Sequence, residues 1–152
     1  FDKKKLVMSN IEDFLSSAEE KEIIEAIRVA EKATSGEIRI HIENSSQLDG
    51  YERAMEVFHY LKMDNTKLQN GVLIYVAVED KTFVIYGDKG INDVVPTGFW
   101  DSTKDIMQSH FKANRFKEGL IEGVLKAGVQ LEQHFPWIHG DTNELANEIS
   151  KG

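Results

Sequence analysis

Along most of this chain, apolar positions recur with a period that names the element. The clearest stretch is 69–91. After Gln69-Asn70-Gly71 comes an unbroken apolar run from Val72 to Val78, which reads as a strand buried on both faces. Glu79-Asp80-Lys81 is too short for a helix, and Thr82-Phe83-Val84-Ile85-Tyr86 is rich in β-branched and aromatic residues. The pair predicts a β-hairpin. Upstream, Ile38, Ile40 and Ile42 alternate with Glu37, Arg39, His41 and Glu43, which predicts a strand with one exposed or polar face.

Helical spacing fills the intervals. Ser17-Ala18-Glu19-Glu20 has the Ser-x-x-Glu form of a capping box, and Ile23, Ile24, Ile27 and Ala30 follow as an apolar stripe ended by Thr34-Ser35-Gly36. Tyr51, Ala54, Met55, Phe58 and Leu61 predict a second helix after a loop at 44–50. A polar connection, 63–69, leads from it into the buried strand. Strand, helix, strand predicts a right-handed crossover, with 38–42 and 72–78 parallel. Residues 92–98 read as a turn or short helix interrupted by Pro96. Helices are predicted over 99–112 and 116–134, with a break at Ala113-Asn114-Arg115 and a stop at Phe135-Pro136. Phe99, Trp100, Phe111 and Phe116 read as core. Gly119, Gly123 and Gly128 in the last helix imply close packing of a neighbouring element. The remainder, 137–152, is a polar tail with Trp137, Ile138, Leu145 and Ile149 available to dock. The pattern as a whole predicts an α/β fold with helices on both sides of a small mixed sheet.

The 152 residues are enough for one domain with a real core. The net charge of −8 disfavours nucleic acid and anionic membranes as partners and is compatible with divalent cations. Without cysteine there are no disulfides, thiolate nucleophiles or Cys-containing zinc sites. No apolar run has the length of a membrane span, and 1–7 lacks a signal-peptide core. Met8 reads as a natural start. We therefore expect a cytoplasmic monomer with 1–10 as a leader, 11–145 as the domain and 146–152 as a tail.

The predicted topology gathers chemistry at two sheet edges. At one, Glu37 meets Asn70-Gly71 and Asp88, and Asp64-Asn65 leads into it. Carboxylate, amide and carbonyl oxygens beside glycines (Gly36, Gly71, Gly87 and Gly90) suit a hard cation such as calcium or magnesium. The same residues also read as ordinary turn formers. The opposite edge offers Glu43, Asn44, Glu79 and Asp80 at the carboxyl ends of the parallel strands, where open α/β sheets usually bind ligands. It lacks loop glycines and is the second choice. No EF-hand loop is present. His110 reads as a packed histidine near Phe99, Ile106 and Met107, while His134, His139 and Asp141 are candidates for a zinc or nickel site. Phosphatase signatures (a Cys-x5-Arg loop, a Walker loop, an Asp-x-Asp pair) are absent.

Several ordered pieces resemble the TPM domain, a family named after a plant thylakoid-lumen protein of photosystem II repair. They are the segment from Thr34 to Ile40, the segment from Asn70 to Ala77, Asp80, Gly87-x-x-Gly90-Ile91, Phe111, Gly119-Leu120, His134-Phe135-Pro136 and Gly140-Asp141-x-Asn143-Glu144-Leu145. The resemblance implies a three-layer α/β/α sandwich, Rossmann-like, with about four strands, and a divalent-cation site for which calcium is the usual candidate. It carries an association with metal-dependent acid phosphatase activity from the plant branch. Many relatives have a signal peptide and a membrane-spanning or glycine-rich tail. The expected function is cation binding; the alternatives are weak phosphomonoester hydrolysis and a protein-interaction module that uses the tail to engage an unidentified protein.

Overall fold

The computed structural model describes residues 14–137 and 149–151. Helix α1 spans Ser17–Glu31 and is followed by strand β1 (Glu37–Glu43), helix α2 (Gly50–Tyr60), strand β2 (Gly71–Ala77) and strand β3 (Thr82–Gly87). A single-turn α3 (Lys89–Asn92) leads to α4 (Asp101–Lys112) and α5 (Phe116–Glu132), and the chain closes with β4 (Ile149–Lys151). The strands form one four-stranded sheet in the order β3-β2-β1-β4. As predicted, the unbroken apolar run is an interior strand. It lies parallel to β1, with Glu37 opposite Gly71, and antiparallel to β3, with Val72 opposite Gly87.

Alternation divides the sheet's side chains between two cores. Ile38, Ile40, Ile42, Val72, Ile74 and Val76 face α1, α4 and α5, where they meet Ile23, Ile27, Met107, Leu120 and Val124. Leu73, Tyr75 and Ala77 face the other way, onto Ala54, Val57 and Phe58 of α2. Helices therefore cover both faces, and each fully buried branched aliphatic contributes about 1.5–3 kcal/mol. The helix glycines serve close approach. A Cβ at Gly119 would lie 2.5 Å from the Phe111 ring, one at Gly123 2.5 Å from Met107 Sδ, and one at Gly128 2.7 Å from Ala30 Cβ.

Two local expectations are corrected and two are made more specific. The capping box of α1 lies one residue earlier than Ser17–Glu20. Ser16 Oγ accepts from the Glu19 amide at 3.1 Å, and the Glu19 carboxylate accepts from the Ser16 amide at 2.9 Å. Both registers contain Ser-x-x-Glu; this one buries Leu15 and leaves Glu20 to pair with Lys151 of β4 at 2.7 Å. The buried stripe of α2 is Ala54, Val57 and Phe58, while Tyr51 and Met55 are exposed. Tyr51 lies instead beside the Tyr86 ring, with centroids 5.3 Å apart. The polar face of β1 is not open to solvent, because Glu37, His41 and Glu43 are all buried. Finally, the end of the tail is a strand. Ile149 to Lys151 pair with Ile40 to Ile42 along the free side of β1.

Candidate functional site: two edges of one sheet

At the amino-terminal edge of the parallel strands, three segments meet in a row. Glu37 lies opposite Gly71. The Asp88 amide, one residue past β3, donates to the Gly71 carbonyl at 3.0 Å, and the Glu37 amide donates to the Asn70 carbonyl at 3.3 Å. Strand alternation puts Glu37 and Asp88 on the sheet face toward α2, about 10 Å apart at the backbone across two strand spacings. Gly71 lies between them with no side chain. A Cβ there would meet the Met63 carbonyl oxygen at 3.1 Å and the Phe58 ring at 3.6 Å, so the glycine admits α2 and its following turn close to the strand.

Both carboxylates are buried, Glu37 at 3% and Asp88 at 8% exposure. Asp88 is the N-cap of α3, and its Oδ1 accepts from the Lys89 amide at 2.7 Å. Its Oδ2 is buried and finds no hydrogen-bond partner among the described residues. The neighbouring Tyr86 hydroxyl has its pKa raised, first by burial and then by the charges of Tyr51 and Asp88. An unsatisfied buried carboxylate oxygen is costly, and a cation is one way to satisfy it.

The other residues expected at this edge have separate engagements. Asn70 is fully buried and closes the loop, its amide nitrogen donating to Ser35 Oγ at 3.4 Å. Asp64 is exposed, with its carboxylate 3.4 Å from His59 Nδ1. Asn65 is exposed and its backbone amide donates to the Lys62 carbonyl at 3.2 Å. The structure thus brings Glu37, Asn70, Gly71 and Asp88 together through strand pairing, and leaves Asp64 on the surface beside His59. Among the described residues no three His, Asp or Glu side chains stand close enough to hold a metal ion by themselves. A cation at this edge would therefore take its two carboxylates from Glu37 and Asp88 and complete its shell with backbone carbonyls and water, which is acceptable coordination for calcium.

The opposite edge is organised differently. The Glu43 carboxylate is held by a bidentate Arg53 guanidinium, Nε and Nη2 each donating at 2.8 Å. The Tyr75 hydroxyl also donates to it, and His41 Nε2 lies 3.1 Å away. Burial alone would raise the Glu43 pKa, but hydrogen bonds from Arg53, His41 and Tyr75 and the Arg53 charge hold it well below the usual carboxylate range. Arg53 is shifted up, chiefly by the hydrogen bond to Glu43. The Tyr75 hydroxyl is shifted up by burial, then by Glu43. His41 Nδ1 lies 3.0 Å from Ser150 Oγ, so the network extends into β4. Asp80 is exposed and accepts from the Ser46 amide at 3.0 Å; Glu79 is exposed. The Asn44 side chain is buried, and neither of its polar atoms has a partner among the described residues.

Sequence reasoning singled out Glu43 but missed Arg53 and Tyr75. The available signal was a carboxylate on the strand face that α2 must cover, with an arginine on that helix. His110 pairs with Glu122 across α4 and α5 at 2.6 Å, beside Gly119, and is partly exposed. The His134 ring contacts Phe99 edge-on at 5.4 Å, whereas His139 and Asp141 lie outside the described residues.

Against known families, the sequence profile of the TPM domain matches residues 8–130. The chain belongs to the TPM-domain family. Its fold is shared with solved NMR structures. The NMR structure of the BA42 protein from the psychrophilic bacterium Bizionia argentinensis shares 64% identity, covering 95% of this chain and 99% of that one, with a TM-score of 0.89. The N-terminal domain of a P. gingivalis protein matches at 22% identity and TM-score 0.67, covering 81% of this chain and 80% of that one. The N-terminal domain of cg2496 from Corynebacterium glutamicum matches at 11% identity and TM-score 0.61, covering 87% and 81%. These last two share the fold. No curated protein matches the chain. No helix among the described residues of this TPM domain is long and apolar enough to cross a membrane.

Proposed function

We propose that this TPM domain is a divalent-cation-binding module that acts by binding, as a cytoplasmic monomer, with calcium or magnesium held at the amino-terminal sheet edge by Glu37 and Asp88. The observation that carries this reading is the buried Asp88 Oδ2, without a partner among the described residues, in one row with buried Glu37 and side-chain-free Gly71. At the opposite edge the Glu43 carboxylate is already surrounded by donors, unlike Asp88 Oδ2 among the described residues. With two carboxylates and no preassembled cage, the expected dissociation constant is about 10⁻⁴ to 10⁻³ M. Binding at a hundredfold excess over that constant adds about 2.7 kcal/mol of stability.

The test is an amide-shift titration with calcium and with magnesium. Saturable shifts should centre on Glu37, Gly71 and Asp88, and Asp88→Asn should weaken calcium binding roughly tenfold or more while keeping the fold, since the charge is lost and the shape kept. Shifts confined to Glu43, Glu79 and Asp80, or none at millimolar calcium, would overturn the assignment.

Binding without turnover is the accompanying expectation. Ser150 Oγ lies 3.0 Å from His41 Nδ1, but at the opposite edge from Glu37 and Asp88, so a cation held by those carboxylates would have to activate water alone. Purified protein should therefore hydrolyse a generic phosphomonoester far more slowly than about 1 s⁻¹, the low end of ordinary enzyme rates. Turnover near that rate, abolished by Asp88→Ala, would make the domain a metal-dependent phosphatase. The tail-mediated interaction module draws less support, because Ile149, Ser150 and Lys151 are taken up by the core, His41 and Glu20.

A further inference from the structure

At the end of the sheet away from Glu37 and Asp88 lies a cavity of about 460 Å³, between the β2–β3 hairpin and the turn joining α4 to α5. That volume falls within the usual range of small-molecule pockets, about 300–1,000 Å³. Its walls are apolar: Val76, Val78, Phe83, Phe111 and Phe116, with Phe14 beside them. The rings hold one another in place, Phe83 edge-on to Phe111 at 5.1 Å and Phe14 against Phe116 at 4.6 Å, so the walls form a preorganised aromatic surface.

The polar groups around this cavity are not balanced in charge. Lys81 and Lys112 both line it, both are exposed, and neither forms an ion pair among the described residues. Gln108, Asn114 and Thr82 add neutral hydrogen-bonding groups. Among the described residues no carboxylate lines the cavity. Asp80, adjacent in sequence to Lys81, is turned to the Ser46 amide. In a chain with 26 acidic and 18 basic residues, an aromatic cavity flanked by two unpaired lysines is a local reversal of the prevailing charge.

We propose that this cavity binds an amphiphilic monocarboxylate, its apolar tail on the phenylalanine walls and its carboxylate between Lys81 and Lys112. Charge complementarity selects this occupant. A neutral apolar ligand would leave the two ammonium groups unused, and a cationic amphiphile would be repelled by them. The tail supplies affinity by burial and the lysines supply orientation and sign selectivity.

Decanoate is the probe, titrated into the full chain and followed by amide shifts, with decyltrimethylammonium as a cation of similar tail length and decanol as a neutral one. Decanoate should give saturable shifts at Val78, Phe83, Lys112 and Asn114, leaving Glu37 and Asp88 unmoved. The Lys81→Gln/Lys112→Gln double variant, altered only at exposed positions, should bind decanoate roughly tenfold more weakly. Its decanol binding and melting temperature should stay unchanged. Equal responses to decanoate and decyltrimethylammonium, undiminished decanoate binding in the double variant, or no saturable shift in this region would each overturn the proposal.

Discussion

Arg53→Ala should destabilise the domain by about 3 kcal/mol or more, the lower end of the range for leaving one member of a buried ion pair unpartnered. For a chain of this size that is a fall of roughly 6–12 °C in melting temperature. Glu43 is 4% exposed, and the guanidinium supplies two of its donors. Removing it leaves a buried carboxylate with only Tyr75 and His41. An Arg53→Met/Glu43→Gln double variant should recover part of the loss, since both charges are then gone, and a double-mutant cycle gives the coupling. An Arg53→Ala protein that melts within a degree of the wild type would mean that the network is not structural, and Glu43 would return as a candidate ligand.

The same network sets an acid limit. Because the folded Glu43 pKa is depressed, the unfolded chain takes up a proton before the folded one does. The stability from Glu43 is therefore fully present above the unfolded glutamate value of about 4.3 and is lost as pH falls from there toward the folded value. Melting temperatures recorded downward from pH 6 should decline in that window for the wild type. The decline should be shallower for Glu43→Gln.

Gly90→Ala should destabilise the domain by about 3 kcal/mol, at the upper end of ordinary overpacking. A Cβ at this position would overlap the Leu68 carbonyl oxygen and lie 2.6 Å from that of Gln69. Both obstacles are backbone, so no side-chain rotation relieves them. The loop must move, and it already carries Gln69 at a positive φ of 51° and leads directly into Asn70 and Gly71. The variant should thus have two signatures: a melting temperature lower by roughly 6–12 °C, and calcium-dependent shifts at Gly71 and Asp88 that weaken or vanish. Gly87→Ala is the control at the same edge, since the nearest atoms its Cβ would meet belong to the Ile91 side chain, at 3.4 Å and beyond. A Gly90→Ala protein as stable as Gly87→Ala would show that this loop yields freely and does not hold the edge in place.

Much of the architecture was legible because it depends on periodicity along the chain. The apolar run at 72–78, the short turn and the β-branched segment after it led directly to an interior strand and its hairpin partner. The glycines of the last helix were read as close packing, and Phe111, Met107 and Ala30 are what they pack against. The candidate site was legible at the backbone level. Pairing Glu37 with Gly71, and Asp88 with Gly71 across the hairpin, follows once the crossover and the hairpin are accepted.

What the residue pattern could not supply was the partner of each polar group. Two Ser-x-x-Glu registers begin α1, and only packing of Leu15 and the Glu20–Lys151 pair distinguishes them. Alternation marked the face of β1 carrying Glu37, His41 and Glu43 as polar, and on a short strand that usually means exposed. Burial of that face came from α2 and from a strand at the far end of the chain.

By itself, then, the sequence determined the α/β order, the interior position of β2 and the convergence of Glu37, Asn70-Gly71 and Asp88 at one edge, because hydrogen-bonded strands repeat every two residues and turns declare themselves locally. The tertiary structure alone decided that Glu43 is enclosed by Arg53, Tyr75 and His41 while Asp88 keeps a buried oxygen unpartnered among the described residues, and that Ile149 to Lys151 join the sheet. Those outcomes depend on which distant side chain reaches a charge first, a property of packing in three dimensions rather than of spacing along the chain.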